Sequence, residues 1–218
     1  MSPFTRRVDF VRLENTTSWR ASWGSEQEID IALYLRDVLA LSVAEGQLLP
    51  PVEPAVPVRV PPAIDRAAVQ AQWADWWTDL LEFVRLRGES GSRKPRSRFG
   101  RPAPGDGSAI DLAIQHFTSA AARHFTEARR PALHAALGAA GFYRRQIVAG
   151  DRLGQLVRET EVDLGRRARP FRLSVIEISV AGRVWLRTAE DQILVSSRFA
   201  EDVPSLEQAM RSVIRDLA

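Results

Sequence analysis

Cysteine is absent from the 218 residues, which rules out disulfides, thiolate metal sites and thiol nucleophiles together. Lysine is almost absent too: Lys94 stands alone among the arginines. An arginine preference this complete is a codon signature of a GC-rich bacterial genome. With a net charge of only +3 it is no indication of a nucleic-acid partner. Long apolar runs are missing as well. The greasiest stretch, Ile29 to Ala44, is interrupted by Asp30, Arg36 and Asp37 and is too short to span a bilayer. The first twenty residues carry Arg6, Arg7 and Asp9 without an apolar segment, so the expectation is a cytoplasmic chain with no membrane contact.

Catalytic signatures are equally sparse. There is no glycine-rich phosphate loop and no Gly-x-Ser-x-Gly elbow. His116 and His124 stand eight apart, which on a helix separates them by about 12 Å, too far to share one metal. No catalytic residue, metal ligand or cofactor is assigned, and the balance leans away from an enzyme.

What is present is an ordinary globular composition, 45% hydrophobic and 26% charged. The expected class is α+β: mainly helical, with a small antiparallel C-terminal β-meander followed by an amphipathic helix. Ile176 and Ile178 alternate with polar residues, and Val184 and Leu186 resume the alternation after Val180-Ala181-Gly182. A three-residue hairpin loop would set Ile178 opposite Val184 and Ile176 opposite Leu186, with Gly182 left-handed. A following turn over 189–192 would place Thr188 opposite Ile193 and Leu186 opposite Val195. The other face would then hold Glu177, Arg183, Trp185, Arg187, Leu194, Ser196 and Arg198, with Glu177 opposite Trp185. That face reads as a cross-strand ion-pair cluster over a tryptophan; Arg183, Trp185, Arg187 and Arg198 are also the candidates for a stacking platform with cationic neighbours. After it, Asp202-Val203-Pro204 opens a helix whose Leu206, Met210, Val213, Ile214 and Leu217 recur at helical spacing.

Upstream, Val8, Phe10 and their neighbours suggest a short strand over 7–13. Ser25 with Glu28 forms a capping-box pattern for a helix reaching about Ala44. From Gln47 to Pro62 prolines interrupt a row of leucines and valines. This is either a ligand for an aromatic-grooved domain or, as the apolar residues favour, an extended strap packed over helices. A helix opened by Asp65 runs to about Arg87. Its Val69, Trp73, Trp76, Trp77, Leu80 and Val84 make one stripe, which reads as core rather than as a ligand cage. Ser108 with Asp111 starts another helix, Pro131 a short one ending near Gly141, and a longer one covers about 142–167.

Residues 88–107 change character, with Arg93, Lys94, Arg96, Arg98 and Arg101 among glycine, serine and proline. They read as a flexible linker, or alternatively as a basic arm that touches phosphates. The expected organisation is therefore 1–87, a helical half with the proline strap; 88–107, the linker; and 108–218, helices, meander and final helix, the two halves packed as one domain.

The leading functional expectation is a non-enzymatic interaction protein, an adaptor or subunit of a bacterial assembly. It rests on the missing catalytic signatures and on more aromatic surface than a small domain hides. Its partner would be another protein or a second copy of the chain. The alternatives are nucleic-acid binding through the Arg93–Arg101 arm, and an enzyme whose site assembles only in three dimensions.

Overall fold

The computed structural model describes residues 19–43, 49–87, 108–135 and 151–218. The strand expected over 7–13, the Arg-rich segment 88–107 and residues 136–150 lie outside the described residues. The described elements run β1 (Arg20–Gly24), α1 (Gln27–Val38), α2 (Arg66–Arg87), α3 (Ala109–Ala135), α4 (Asp151–Leu164), β2 (Arg172–Ile178), β3 (Trp185–Ala189), β4 (Gln192–Ser196), α5 (Ser197–Glu201) and α6 (Val203–Leu217). They gather into two compact units. One spans Glu26–Arg130 with Ser179–Ala181; the other comprises the described parts of Met1–Ser25, Pro131–Ile178 and Gly182–Ala218.

The first unit is helical. In α2 the expected stripe is interior: Val69, Trp73, Trp76, Trp77, Leu80 and Val84 are all buried. Trp73 and Trp77 stack nearly parallel, with ring centroids 5.5 Å apart. The helix starts where predicted, because the Asp65 carboxylate accepts from the Ala68 amide at 3.0 Å. At the head of α3, Ser108 Oγ likewise accepts from the Asp111 amide at 3.2 Å. Ile110, Ala113, Phe117, Ala121 and Phe125 form its buried side. The expected break at Pro131 does not occur, for α3 continues to Ala135.

The capping box proposed for α1 is not used. Glu26, not Ser25, is the N-cap, and its side chain makes no capping hydrogen bond. The helix also stops short of Ala44. The Leu41 amide bonds to the Arg36 carbonyl (2.8 Å) and the Ala40 amide to the Asp37 carbonyl (3.1 Å), the double closure of a Schellman end. Such an end places its last residue in the left-handed region, and Ala40 is there, with φ 48°. Glycine is the usual occupant, so nothing in the local sequence announced the stop. Arg66 holds the turn from outside, donating to the Leu39 and Ala40 carbonyls at 2.7 and 2.5 Å. Ala40→Gly should therefore stabilise the protein by about 0.5–1 kcal/mol, read from the urea midpoint at unchanged slope.

The second unit is built on a four-stranded sheet of order β1-β2-β4-β3. The sheet is mixed and not an antiparallel meander: β1 and β2 are parallel, β2 and β4 are parallel, and only β3 and β4 run antiparallel. β2 does not turn back onto β3. Gly182 is left-handed (φ 77°) as expected, but within a connection that carries the chain past β4's place to the sheet edge. Ile176 therefore faces Leu194 and Ile178 faces Ser196, instead of Leu186 and Val184. On the other side Leu186 faces Leu194, because a bulge at Thr188 shifts the register by one. Thr188 Oγ1 is held there by the Gln192 side chain at 2.8 Å.

The physical reason for the misreading is that every residue of β4, and most of β2, is buried. An interior strand has no wet face, so alternation does not mark its orientation. Leu173, Val175, Ile193 and Val195 join one cluster with Leu153, Leu156 and Val157 of α4 and Leu206, Met210, Val213, Ile214 and Leu217 of α6. The final helix thus has the predicted buried face, and it starts as predicted, with Asp202 accepting from the Ser205 amide at 3.2 Å. On the opposite face of the strands Ile176, Ile178, Leu194 and Ser196 are buried too. α4 ends at Gly165 (φ 64°) in a Schellman closure. No helix among the described residues is long and apolar enough to cross a membrane.

Candidate functional site

The expected strap supplies the feature of the helical unit that folding alone does not explain. Its first part is clamped from several sides. Arg36, on the last turn of α1, is buried. Its guanidinium donates to the Leu49 carbonyl (2.9 Å), the Pro50 carbonyl (2.8 Å) and the Asp37 carboxylate (2.6 Å). The second oxygen of Asp37 accepts from the Val52 amide at 2.6 Å. An antiparallel bridge joins Val52 to Val180, flanked by the Glu53 amide bonding to the Ser179 carbonyl (3.0 Å) and the Ala181 amide to the Pro51 carbonyl (2.8 Å). Leu49 and Val52 are buried in consequence. The Glu53–Pro54 peptide bond is cis.

The far end is clamped as well. Pro61 and Ile64 are buried, the Ile64 amide bonds to the Pro61 carbonyl at 3.0 Å, and α2 begins two residues later. Between the clamps, residues 55–61 run without turn or bend. Among the described residues one backbone bond ties this part down, from the Arg59 amide to the Val38 carbonyl at 2.7 Å. Val58 is 65% exposed and Val60 45% exposed. Val52 is buried, as the strap reading expects, whereas these two are not. A valine left in water forgoes roughly 1.5 kcal/mol or more of burial, and here two are held outward between fixed ends.

His124, on α3, lies beside the near clamp. Its ring meets Tyr34 edge-on, centroids 5.5 Å apart, and its Nε2 is buried without a hydrogen-bond partner. Burial pushes its pKa below the ordinary imidazole value, against the Pro54 carbonyl and the Glu127 and Asp37 carboxylates, which pull it upward. A histidine whose folded pKa is depressed binds fewer protons folded than unfolded. Its stability contribution is present above the ordinary value of 6.5 and is lost as pH falls through the folded pKa. Urea midpoints should therefore drop between about pH 7 and pH 5, and His124→Gln should flatten that dependence.

A second buried charge in this unit, Asp30, is gripped by Arg129 through two hydrogen bonds of 2.6 Å. Arg129 also lies over the Phe125 ring at 5.3 Å. Burial raises the Asp30 pKa, against the Arg129 hydrogen bonds and charge, which lower it. Among the described residues no group of three or more His, Asp or Glu is placed to hold a metal ion.

The residues proposed as a cationic platform are in the other unit. Arg93, Lys94, Arg96, Arg98 and Arg101 lie outside the described residues. Arg183 and Trp185 meet around Phe199: the guanidinium sits 5.4 Å over its ring and the indole centroid is 5.4 Å away. Arg183 is bound to Asp202 (2.5 Å) and Ser205 Oγ (3.1 Å). These contacts, Arg183 first and then Ser205, hold the Asp202 carboxyl below its ordinary range. Arg187 pairs with Asp216 at 2.5 Å and donates to the Glu190 carbonyl. Arg198 is on α5.

Glu177 is not opposite Trp185, because Val195 stands between them in the ladder. It accepts instead from Trp23 Nε1 (3.1 Å) and Ser197 Oγ (2.8 Å). Leu194 and Ser196 belong to the opposite, buried face.

Sequence reasoning passed over Arg36, Asp37 and His124 as a set. The signal was there, for an arginine and two aspartates interrupting an apolar helix must find partners if the helix is interior. Compared with protein-family models, with curated proteins and with solved structures, the chain matches none.

Proposed function

We propose that this chain is a protein-interaction protein, an adaptor or subunit of a cytoplasmic bacterial assembly, and that the segment 55–60 is its docking element. The observation that carries this reading is the exposure of Val58 and Val60 between two clamps. A chain that needed only to connect α1 to α2 gains nothing from displaying β-branched apolar residues, whereas a partner can bury them. The clamps support the reading further, since a segment held in one course loses less conformational freedom on binding. Aromatic surface, one of the sequence grounds for this function, no longer contributes. Five of the six tryptophans, Trp19, Trp23, Trp73, Trp76 and Trp77, are buried.

Site-directed photo-cross-linking in the native cell tests the proposal. A photoreactive phenylalanine at position 58 or 60 should yield a discrete adduct of higher mass. The same group at Asp75, an exposed position on α2, should yield none. Equal adduct patterns at 58, 60 and 75, or no adduct at 58 and 60, would refute the assignment.

A further inference from the structure

We infer that Pro54-Ala55-Val56-Pro57-Val58-Arg59 is a ligand for an aromatic-walled groove bordered by a carboxylate on a partner protein. This rests on the docking reading above and specifies the partner's chemistry.

The argument begins with backbone restriction. Pro54 and Pro57 fix their own φ, while Val56 and Val60, each preceding a proline, are pushed to extended conformations. A straight, proline-set segment favours the left-handed extended helix of about three residues per turn. On that helix residues 57 and 60 share one edge, 55 and 58 a second, and 56 and 59 the third.

Pro57 and Val60 are exposed, as are Ala55 and Val58, while on the third edge Val56 is half-buried and the Arg59 side chain is exposed. The Arg59 amide, on the third edge, is the one bonded to Val38. Two adjacent ridges of proline, alanine and valine therefore face outward. That is the shape that aromatic grooves of the Pro-x-x-Pro-binding domains accept.

Charge supplies the second half of the inference. The Arg59 side chain is exposed and has no carboxylate partner among the described residues. Arg36, Arg129, Arg183 and Arg187 are each paired with a carboxylate. A guanidinium that has no carboxylate partner among the described residues and lies two residues beyond Pro57 calls for a carboxylate at the end of the groove. Addition as an extra β-strand is less well served. Pro54, Pro57 and Pro61 have no amide hydrogen to give, and the Arg59 amide is already bonded.

The test titrates the folded full-length chain into a panel of purified SH3, WW and EVH1 domains, with a synthetic 52–62 peptide alongside. At least one domain with an acidic groove end should bind both. Pro57→Ala and Arg59→Glu should each weaken binding tenfold or more, while Asp75→Ala in the full chain, at an exposed position of α2, should leave it within twofold. Circular dichroism of each variant controls for folding. Binding by no domain, or binding indifferent to Pro57→Ala and Arg59→Glu, would overturn the inference. Equal loss with Asp75→Ala would overturn it as well. In any of these cases an adduct from position 58 in cells would leave the docking reading standing, and its absence would remove both.

Discussion

Arg36→Met should cost about 3–5 kcal/mol of stability, the range for breaking a buried ion pair from one side. The substitution keeps the helix and fills much of the volume, so the loss is chiefly electrostatic. It strips the Leu49 and Pro50 carbonyls of their donors and leaves the Asp37 carboxylate against the Val52 amide without its counter-ion. The urea midpoint measures the loss. A companion measurement isolates the local effect: proteolysis between residues 49 and 60 should accelerate in the variant even under conditions where the protein remains folded. A loss under about 1 kcal/mol would mean that the clamp is replaceable by packing.

The second large effect is expected at Asp30. Arg129→Met leaves a carboxylate in the helical core without its two 2.6 Å donors. Because 30% of the Arg129 side chain is solvent-accessible, the cost is set below that of Arg36, at about 2–4 kcal/mol. The double substitution Asp30→Asn with Arg129→Met should recover part of it, since no buried charge then remains. The cycle also has a pH signature. The Asp30 pKa is raised, so the stability linked to its proton is present below the ordinary aspartate value of 3.8 and is lost as pH rises through the folded value. In Arg129→Met, with the lowering influence gone, that loss should extend to higher pH. Denaturant midpoints across pH 4 to 8 in the single and double variants would show it.

The starts of α2, α3 and α6 were legible because each combines a side-chain cap with a helical apolar stripe, and both signals are local. Asp65, Ser108 and Asp202 cap the helices they were expected to cap. The tryptophan stripe was legible for the same reason. The end of α1 was not, since its left-handed residue is Ala40 where glycine would have been the signal. Neither was β1, a five-residue edge strand with one buried side chain, Trp23. Its sheet partner, β2, comes about 150 residues later, with Arg172 beside Arg20.

The candidate site was half visible. Its prolines and valines invited the two alternatives of packed strap and displayed ligand, and composition cannot choose between them. The choice depends on Arg36 and Asp37 reaching across to residues 49–52, and on Val38 offering its carbonyl to Arg59.

By itself the amino-acid order determined where α2, α3 and α6 begin, which faces they bury, and that no thiol chemistry is available. Caps, periodicity and composition act over a few residues and need no knowledge of the rest. Strand order, the parallel pairing of β2 with β4, and the display of Val58 and Val60 were decided only in three dimensions. Each of these depends on which distant groups satisfy a buried donor or acceptor, and that is set by the assembled chain.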